Sequence, residues 1–299
     1  MGSPHRVPAG AGIRRHDTPG EADAESSLTY SFYSPDEVGK QLPAERNIKS
    51  WYDTFVDGIA QRNLGEFIVI PPDVNDRIRE QGGILSLVPS SLRLIDIDFD
   101  LLTNVGVGTL PADVEVYRLR RALADGLRYG ALATYDFVLI DCPPNFNIVT
   151  QGAIVASSHL LVPTRPDYLS TLGVDSLLNR VADFADKYNN QVRTYSPQPE
   201  PDVIAPTALG VVFTMVQYKS PEPIAAHQHY IDRVTRYVQD APVFKARIRE
   251  NVAFGRGGDG LPVILRANLT QKHYIELMEL ATEFLGHFPD TDEKKRAVA

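Results

Sequence analysis

Cysteine and tryptophan are nearly missing from this chain: Cys142 and Trp51 are single instances in 299 residues. One thiol excludes an internal disulfide and suits a reducing compartment. No paired-cysteine motif, H-E-x-x-H or G-x-S-x-G occurs, which removes structural zinc, zincin chemistry and the serine nucleophile elbow. His227 and His229 stand about 200° apart on a helix and do not share a metal. No apolar run approaches the roughly 20 residues of a membrane span. The N-terminus has arginines but no apolar h-region, so neither a secretory leader nor a membrane partner is expected. A net charge of −8 excludes a surface uniformly attractive to nucleic acid. It leaves room for a local basic patch.

What is present is the composition of a globular protein, 43% hydrophobic and 23% charged. Residues 1–27 hold Pro4, Pro8, Pro19, four glycines and only two large aliphatics, Val7 and Ile13. They cannot bury enough apolar surface to offset their ordering entropy, so a disordered or aberrant tail is expected there. Residues 28–289 form the expected α/β domain, and residues 290–299 a polar C-terminal tail. Ile48–Val56 predicts a helix with Trp51 and Phe55 on one face. Phe67–Ile70 and Ile84–Val88 are short apolar runs closed by proline, as buried strands are. Val114–Leu127 has a helical apolar stripe. Further on, the strands Phe137–Ile140, Leu160–Val162, Leu209–Met215 and Val243–Phe244 are expected. They alternate with the helices Gln151–Ser157, Thr171–Tyr188, Pro223–Gln239 and Gln271–Leu285. Apolar strands separated by helices predict βαβ units, hence a parallel sheet with helices on both faces.

In such a sheet ligands bind beyond the carboxyl ends of the strands. Asp141 closes the run Phe137–Ile140 and is followed by Cys142-Pro143-Pro144. An aspartate at that place can hold the water shell of Mg²⁺, a hard cation that prefers oxygen. A helix N-cap or turn aspartate is the plainer alternative. Cys142 beside it reads as a packed or turn thiol. Gly255–Gly260 fits G-x-G-x-x-G formally, but Leu261-Pro262 follows where a helix should open, so it reads as a loop.

Tyr135–Thr150 (YDFVLIDCPPNFNIVT) resembles the Walker B region of ParA-type partition ATPases, the Soj and MinD relatives. The resemblance continues through Leu160–Leu178, Gly210–Met215 and Val243–Pro262. It extends upstream to Leu28–Phe32, Ile48–Trp51 and Leu87–Leu94. It implies a P-loop NTPase-like sheet, with ATP and Mg²⁺ as cofactors and Asp141 as metal ligand. Pro143, Pro144, Thr214 and Met215 would lie against the nucleotide. Asp23, matched to the family's second aspartate, would orient the attacking water. The implied partners are a second copy of the chain, non-specific DNA and a ParB-like protein, in a cytoplasmic, nucleoid-associated setting. The DNA candidates are Lys245, Arg247, Arg249 and Arg256. They lie in a run from His227 to Gly258 that holds six basic residues, Arg233 and Arg236 included, against three acidic ones. Arg118, Arg120, Arg121 and Arg128 form a second basic cluster.

The family's opening strand and KGGVGKT-like loop have no match in this sequence. The one Gly-Lys pair, Gly39-Lys40, precedes Gln41, and Ser34 stands at the first loop glycine. Phosphates buried without donors or a cation are prohibitively costly. Two expectations stay open: a truncated or misread start, or a P-loop-less relative that acts as a binding module.

Overall fold

The computed structural model describes residues 27–56, 62–91, 94, 97, 99, 111–128, 130–143, 145–196, 202–252, 254, 261–265 and 269–288. The two expected tails, Ser27 apart, lie outside the described residues, as do Asp23, Pro144 and Arg256. The chain divides into two compact units. One holds residues up to Ala156 with 257–265 and 294–299; the other holds Ser157–Arg256 and 266–293.

The first unit is built from helices α1 (Ser27–Phe32), α2 (Pro35–Gln41), α3 (Ile48–Val56), α4 (Pro72–Ile78), α5 (Ala112–Arg128) and α6 (Ile148–Ala156). Its core forms around Trp51, which α3 points inward beside Ile48 and Tyr52. The indole packs edge-on to Tyr52 and Phe55, with ring centroids 4.9 and 5.0 Å away. Its N–H donates to the Arg62 carbonyl at 2.9 Å, which settles the ring's one polar atom. On α5, Gly126 faces the indole: a Cβ there would lie 3.1 Å from Trp51 Cζ2. Leu123 and Leu127 complete the wall, as the apolar stripe of this helix requires.

Two expected strands are corrected in this unit. Phe67–Ile70 and Ile84–Val88 form no strand of a sheet; Val69 and Leu87 pair as an antiparallel bridge with N···O distances of 2.8 and 2.9 Å, and Val88 too is a bridge residue. Side chains take the backbone groups that a longer ladder would use. Asn63 caps a 3₁₀ turn, Leu64–Phe67, by accepting from Gly65 N at 2.8 Å. Asn75, buried on α4, both accepts from Leu85 N (3.0 Å) and donates to Leu85 O (2.8 Å). The third correction is Phe137–Ile140, which belongs to no strand of the sheet among the described residues. Val138 and Ile140 pack on the Trp51 cluster while Leu139 is 53% exposed. An apolar run that reads as buried on two faces is covered on one.

The second unit carries a three-stranded parallel sheet in the order β1 (His159–Thr164), β2 (Thr207–Val216), β5 (Val243–Arg249). A two-stranded antiparallel ribbon, β3 (Tyr218–Lys219) and β4 (Glu222–Pro223), follows β2. The central strand β2 is buried continuously from Leu209 to Phe213, and the outer strands alternate buried with open positions. That is the pattern expected when only the middle strand is covered on both faces. Helices α7 (Tyr168–Tyr195) and α8 (Ala225–Tyr237) cover one face through Val174, Ile231 and Val234 against Val211 and Phe213. Helix α9 (Gln271–Gly286) covers the other through Leu280 and Phe284 against Leu209, Val212 and Phe244.

Leu209 and Val212 share a face although their spacing is odd. The pairing explains this: Leu160 and Leu161 oppose Ala208 and Gly210, so Leu209 is an extra residue, a bulge that resets the alternation. Gly210 lies under Phe244, where a Cβ would come within 2.6 Å of the ring. Only glycine fits this approach.

The strand β5 lies at one edge of the sheet, and its outer amides find partners on α9. Glu283 accepts from Lys245 N (2.9 Å) and Ala246 N (2.8 Å), and Glu276, two turns earlier, accepts from Arg249 N (3.0 Å). Two carboxylates on one helix face stand in for the carbonyls of a further strand and close the edge. This extends β5 to seven residues, past the expected Val243–Phe244. Caps likewise lengthen α7, whose Asp167 accepts from Ser170 N at 2.8 Å, and α6, whose Asn147 accepts from Thr150 N at 2.9 Å. No described helix is long and apolar enough to cross a membrane.

Candidate functional site

Asp141 sits half-buried after the run Phe137–Ile140, held by a bridge rather than by a strand of the sheet among the described residues. Behind it the Cys142 thiol donates to the Ile140 carbonyl at 3.9 Å. Burial, and then the neighbouring Asp141 carboxylate, push this thiol up to about 12. Both effects favour the thiol over the reactive thiolate. The Tyr52 hydroxyl, pushed above its ordinary range by burial and by Cys142, is buried with no hydrogen-bond partner among the described residues. Pro143 is buried.

The link from Asp141 to α6 is fixed by residues outside the Asp-Cys-Pro-Pro motif. Gln151 donates to the Phe146 carbonyl at 3.0 Å and accepts from Arg120 Nε at 2.8 Å. Gly152 allows α6 to approach the Arg120 carbonyl and the Tyr52 hydroxyl, at 3.5 and 3.3 Å from where its Cβ would be. Arg120 thus buttresses the loop after Asp141 instead of serving a basic patch. Its neighbour Arg121 is taken up by Asp125, one turn on, at 3.0 Å. The spacing Arg121–Asp125 is a readable signal for that pair; the Arg120–Gln151 bond, 31 residues apart, has none.

Thr214 and Met215 lie at the carboxyl end of β2, in the second unit. Met215 has φ of 56° and its side chain is 39% exposed. A left-handed backbone at a residue other than glycine is uncommon and marks positions held for a purpose. Here it re-aims the strand end: between Phe213 and Val216 the register against β5 shifts by one residue.

The DNA candidates divide. Arg249 is bound on every side: its Nη2 and Nε reach Glu276 Oε1 at 2.6 and 2.7 Å, and its guanidinium stacks on Tyr218 at 4.7 Å. Arg247 reaches Gln228 Oε1 at 3.4 Å and is half-buried. Lys245 is exposed on β5. Arg233 and Arg236, from the same basic run, are exposed on α8, with Arg233 6.0 Å from the Tyr168 ring centroid. No cluster of acidic, histidine and cysteine side chains that would hold a metal occurs among the described residues.

Residues 46–194 match an AAA domain family. The chain is 28% identical over 182 residues to the sporulation initiation inhibitor protein Soj of Bacillus subtilis, covering 60% of this chain and 59% of that protein. It is 29% identical over 183 residues to the chromosome-partitioning ATPase Soj of Treponema pallidum, covering 60% and 58%. Through this stretch the chain belongs to the ParA/Soj-type partition ATPase family. Its match spans less than two thirds of either relative. The fold agrees with two solved structures at low identity. Cobyrinic acid a,c-diamide synthase of Mycobacterium smegmatis, with bound ATP analog and magnesium, is 19% identical with a TM-score of 0.56, over 95% of this chain and 84% of that one. A complex of Cyanothece McdA with ATP is 13% identical with a TM-score of 0.51, over 99% and 97%.

Proposed function

We propose that this ParA/Soj-type chain serves DNA segregation by binding DNA without sequence preference and by meeting a ParB-like partner. The family match over residues 46–194 carries the reading. The basic run of α8 and β5 supports its DNA arm. Because Arg249 is held by Glu276 and Arg247 by Gln228, the charges of this run open to phosphate among the described residues are Arg233, Arg236 and Lys245; Arg256 stays a candidate on its sequence position alone. Binding titrated against salt gives a slope that falls by about 0.9 for each phosphate no longer neutralised. Arg233→Ala with Arg236→Ala therefore flattens the slope and weakens all DNA sequences equally. A slope that these two changes leave intact removes α8 from the interface.

Mg-ATP does not fit the described residues. Gly39-Lys40 lies within α2, a helix opened by Ser34, whose Oγ accepts from Glu37 N at 3.3 Å while its own N–H donates to Glu37 at 2.7 Å. Its amides are committed to helix turns, not to a loop that wraps phosphate. Asp141 alone adds negative charge to a polyphosphate. This favours a second reading, in which the chain is a relative that pairs and binds but does not hydrolyse. Excess Mg-ATP then leaves the melting temperature unchanged. A bound nucleotide at about 100 times its Kd would stabilise by roughly 2.7 kcal/mol, and a shift of that size, abolished in Asp141→Ala, would restore the motor with Asp141 as the Mg²⁺ ligand and Asp23 placing the water.

A further inference from the structure

The inward face of α9 is engaged by the sheet, yet its outward face is apolar as well. Tyr274, Met278, Ala281 and Leu285 follow one another at four, three and four residues and all are exposed. Tyr274, Met278 and Leu285 show 49%, 42% and 45% of their surface, and Ile275 beside them 45%. This is the spacing of a helix–helix seam, on a helix that already has a partner on its other side. A surface helix ordinarily keeps one apolar stripe, and a second marks an interaction site.

Beside the seam a groove of about 470 Å³ is lined by Lys245 from β5 and by Ile275, Met278, Glu279, Thr282 and Glu283. Glu283 is committed to the β5 amides. Lys245 and Glu279 thus bring opposite charges to the rim of one apolar face. Such a face is complementary to itself across a twofold axis. A partner helix of one charge sign would match only half of it.

We propose that a second copy of this chain occupies this face, α9 lying antiparallel on the partner's α9, with Lys245 of each copy against the partner's Glu279. The antiparallel arrangement also sets the helix dipoles favourably. This association requires no nucleotide and no DNA; it takes Lys245 out of the charges open to phosphate and leaves Arg233 and Arg236 to the segregation reading.

Sedimentation equilibrium of the full chain without nucleotide tests it. The wild type is a dimer, and Met278→Glu, at an exposed position, is a folded monomer with the wild-type circular dichroism spectrum, whose melting temperature no longer rises with protein concentration. Lys245→Glu raises the dimer Kd on the order of tenfold, because like charges then meet across the axis. Lys245→Glu combined with Glu279→Lys returns Kd to near the wild-type value. A wild-type monomer, a dimer indifferent to Met278→Glu, or a charge exchange that fails to restore association each overturns the proposal.

Discussion

Glu276→Ala lowers stability by about 3 kcal/mol, which is large for one side chain of a helix facing the outside of a sheet. The carboxylate is buried, at 8% exposure, and serves three donors of Arg249: the backbone N–H, Nε and Nη2. Its removal strands a half-buried guanidinium and an edge amide together. Breaking a buried pair from one side costs about 3–5 kcal/mol, and the 27% exposure of the Arg249 side chain places this case at the low end. Removing both partners is cheaper, since nothing is then left unpaired. Glu276→Ala/Arg249→Ala should therefore be more stable than the sum of the single changes. Urea unfolding followed by circular dichroism, with the four proteins of the cycle compared, reads this directly. A loss under about 1 kcal/mol for Glu276→Ala would mean that Arg249 is solvated and that the edge of β5 is held by Glu283 alone.

Trp51→Ala is the second large effect, and it falls on the other unit. The indole is fully buried, and truncation of such a ring costs about 3–5 kcal/mol, through lost transfer energy and the cavity left behind. Gly126, which fits closely to the ring in the wild type, cannot fill the void. Trp51→Phe keeps most of the apolar surface but leaves the Arg62 carbonyl without its 2.9 Å donor, so it loses less than alanine and more than an exposed change. The wild-type emission, from the single tryptophan of the chain, is that of a shielded indole and reports the unfolding of this core. The variants, which lack that signal, are followed by circular dichroism. If Trp51→Ala melted within about 1 kcal/mol of the wild type, the cluster of Leu123, Leu127 and Phe67 would be self-sufficient.

Helix positions are legible in the chain because the apolar period is local. Ile48–Val56 has the expected bounds, and α5, α8 and α9 differ from expectation by about two residues or fewer at each end. Their interiors follow from side chains three and four apart, which the sequence displays. The ends of α6 and α7 are less legible, because the caps Asn147 and Asp167 lie just outside the apolar pattern. The spacing Ser34-Pro-Asp-Glu37, a reciprocal cap, is equally visible, and it explains why Gly39-Lys40 is helical.

Local period and motif spacing were enough for the class of fold, the parallel pairing of β1, β2 and β5, and the membership in a partition family through the stretch around Asp141. Which charges are spoken for emerges only from the folded chain, because a salt bridge such as Arg249–Glu276 joins residues whose separation carries no period. The same holds for which apolar runs are covered twice. Burial is a property of the neighbours a segment meets, and Phe137–Ile140 and the outward stripe of α9 each look complete until those neighbours are in place.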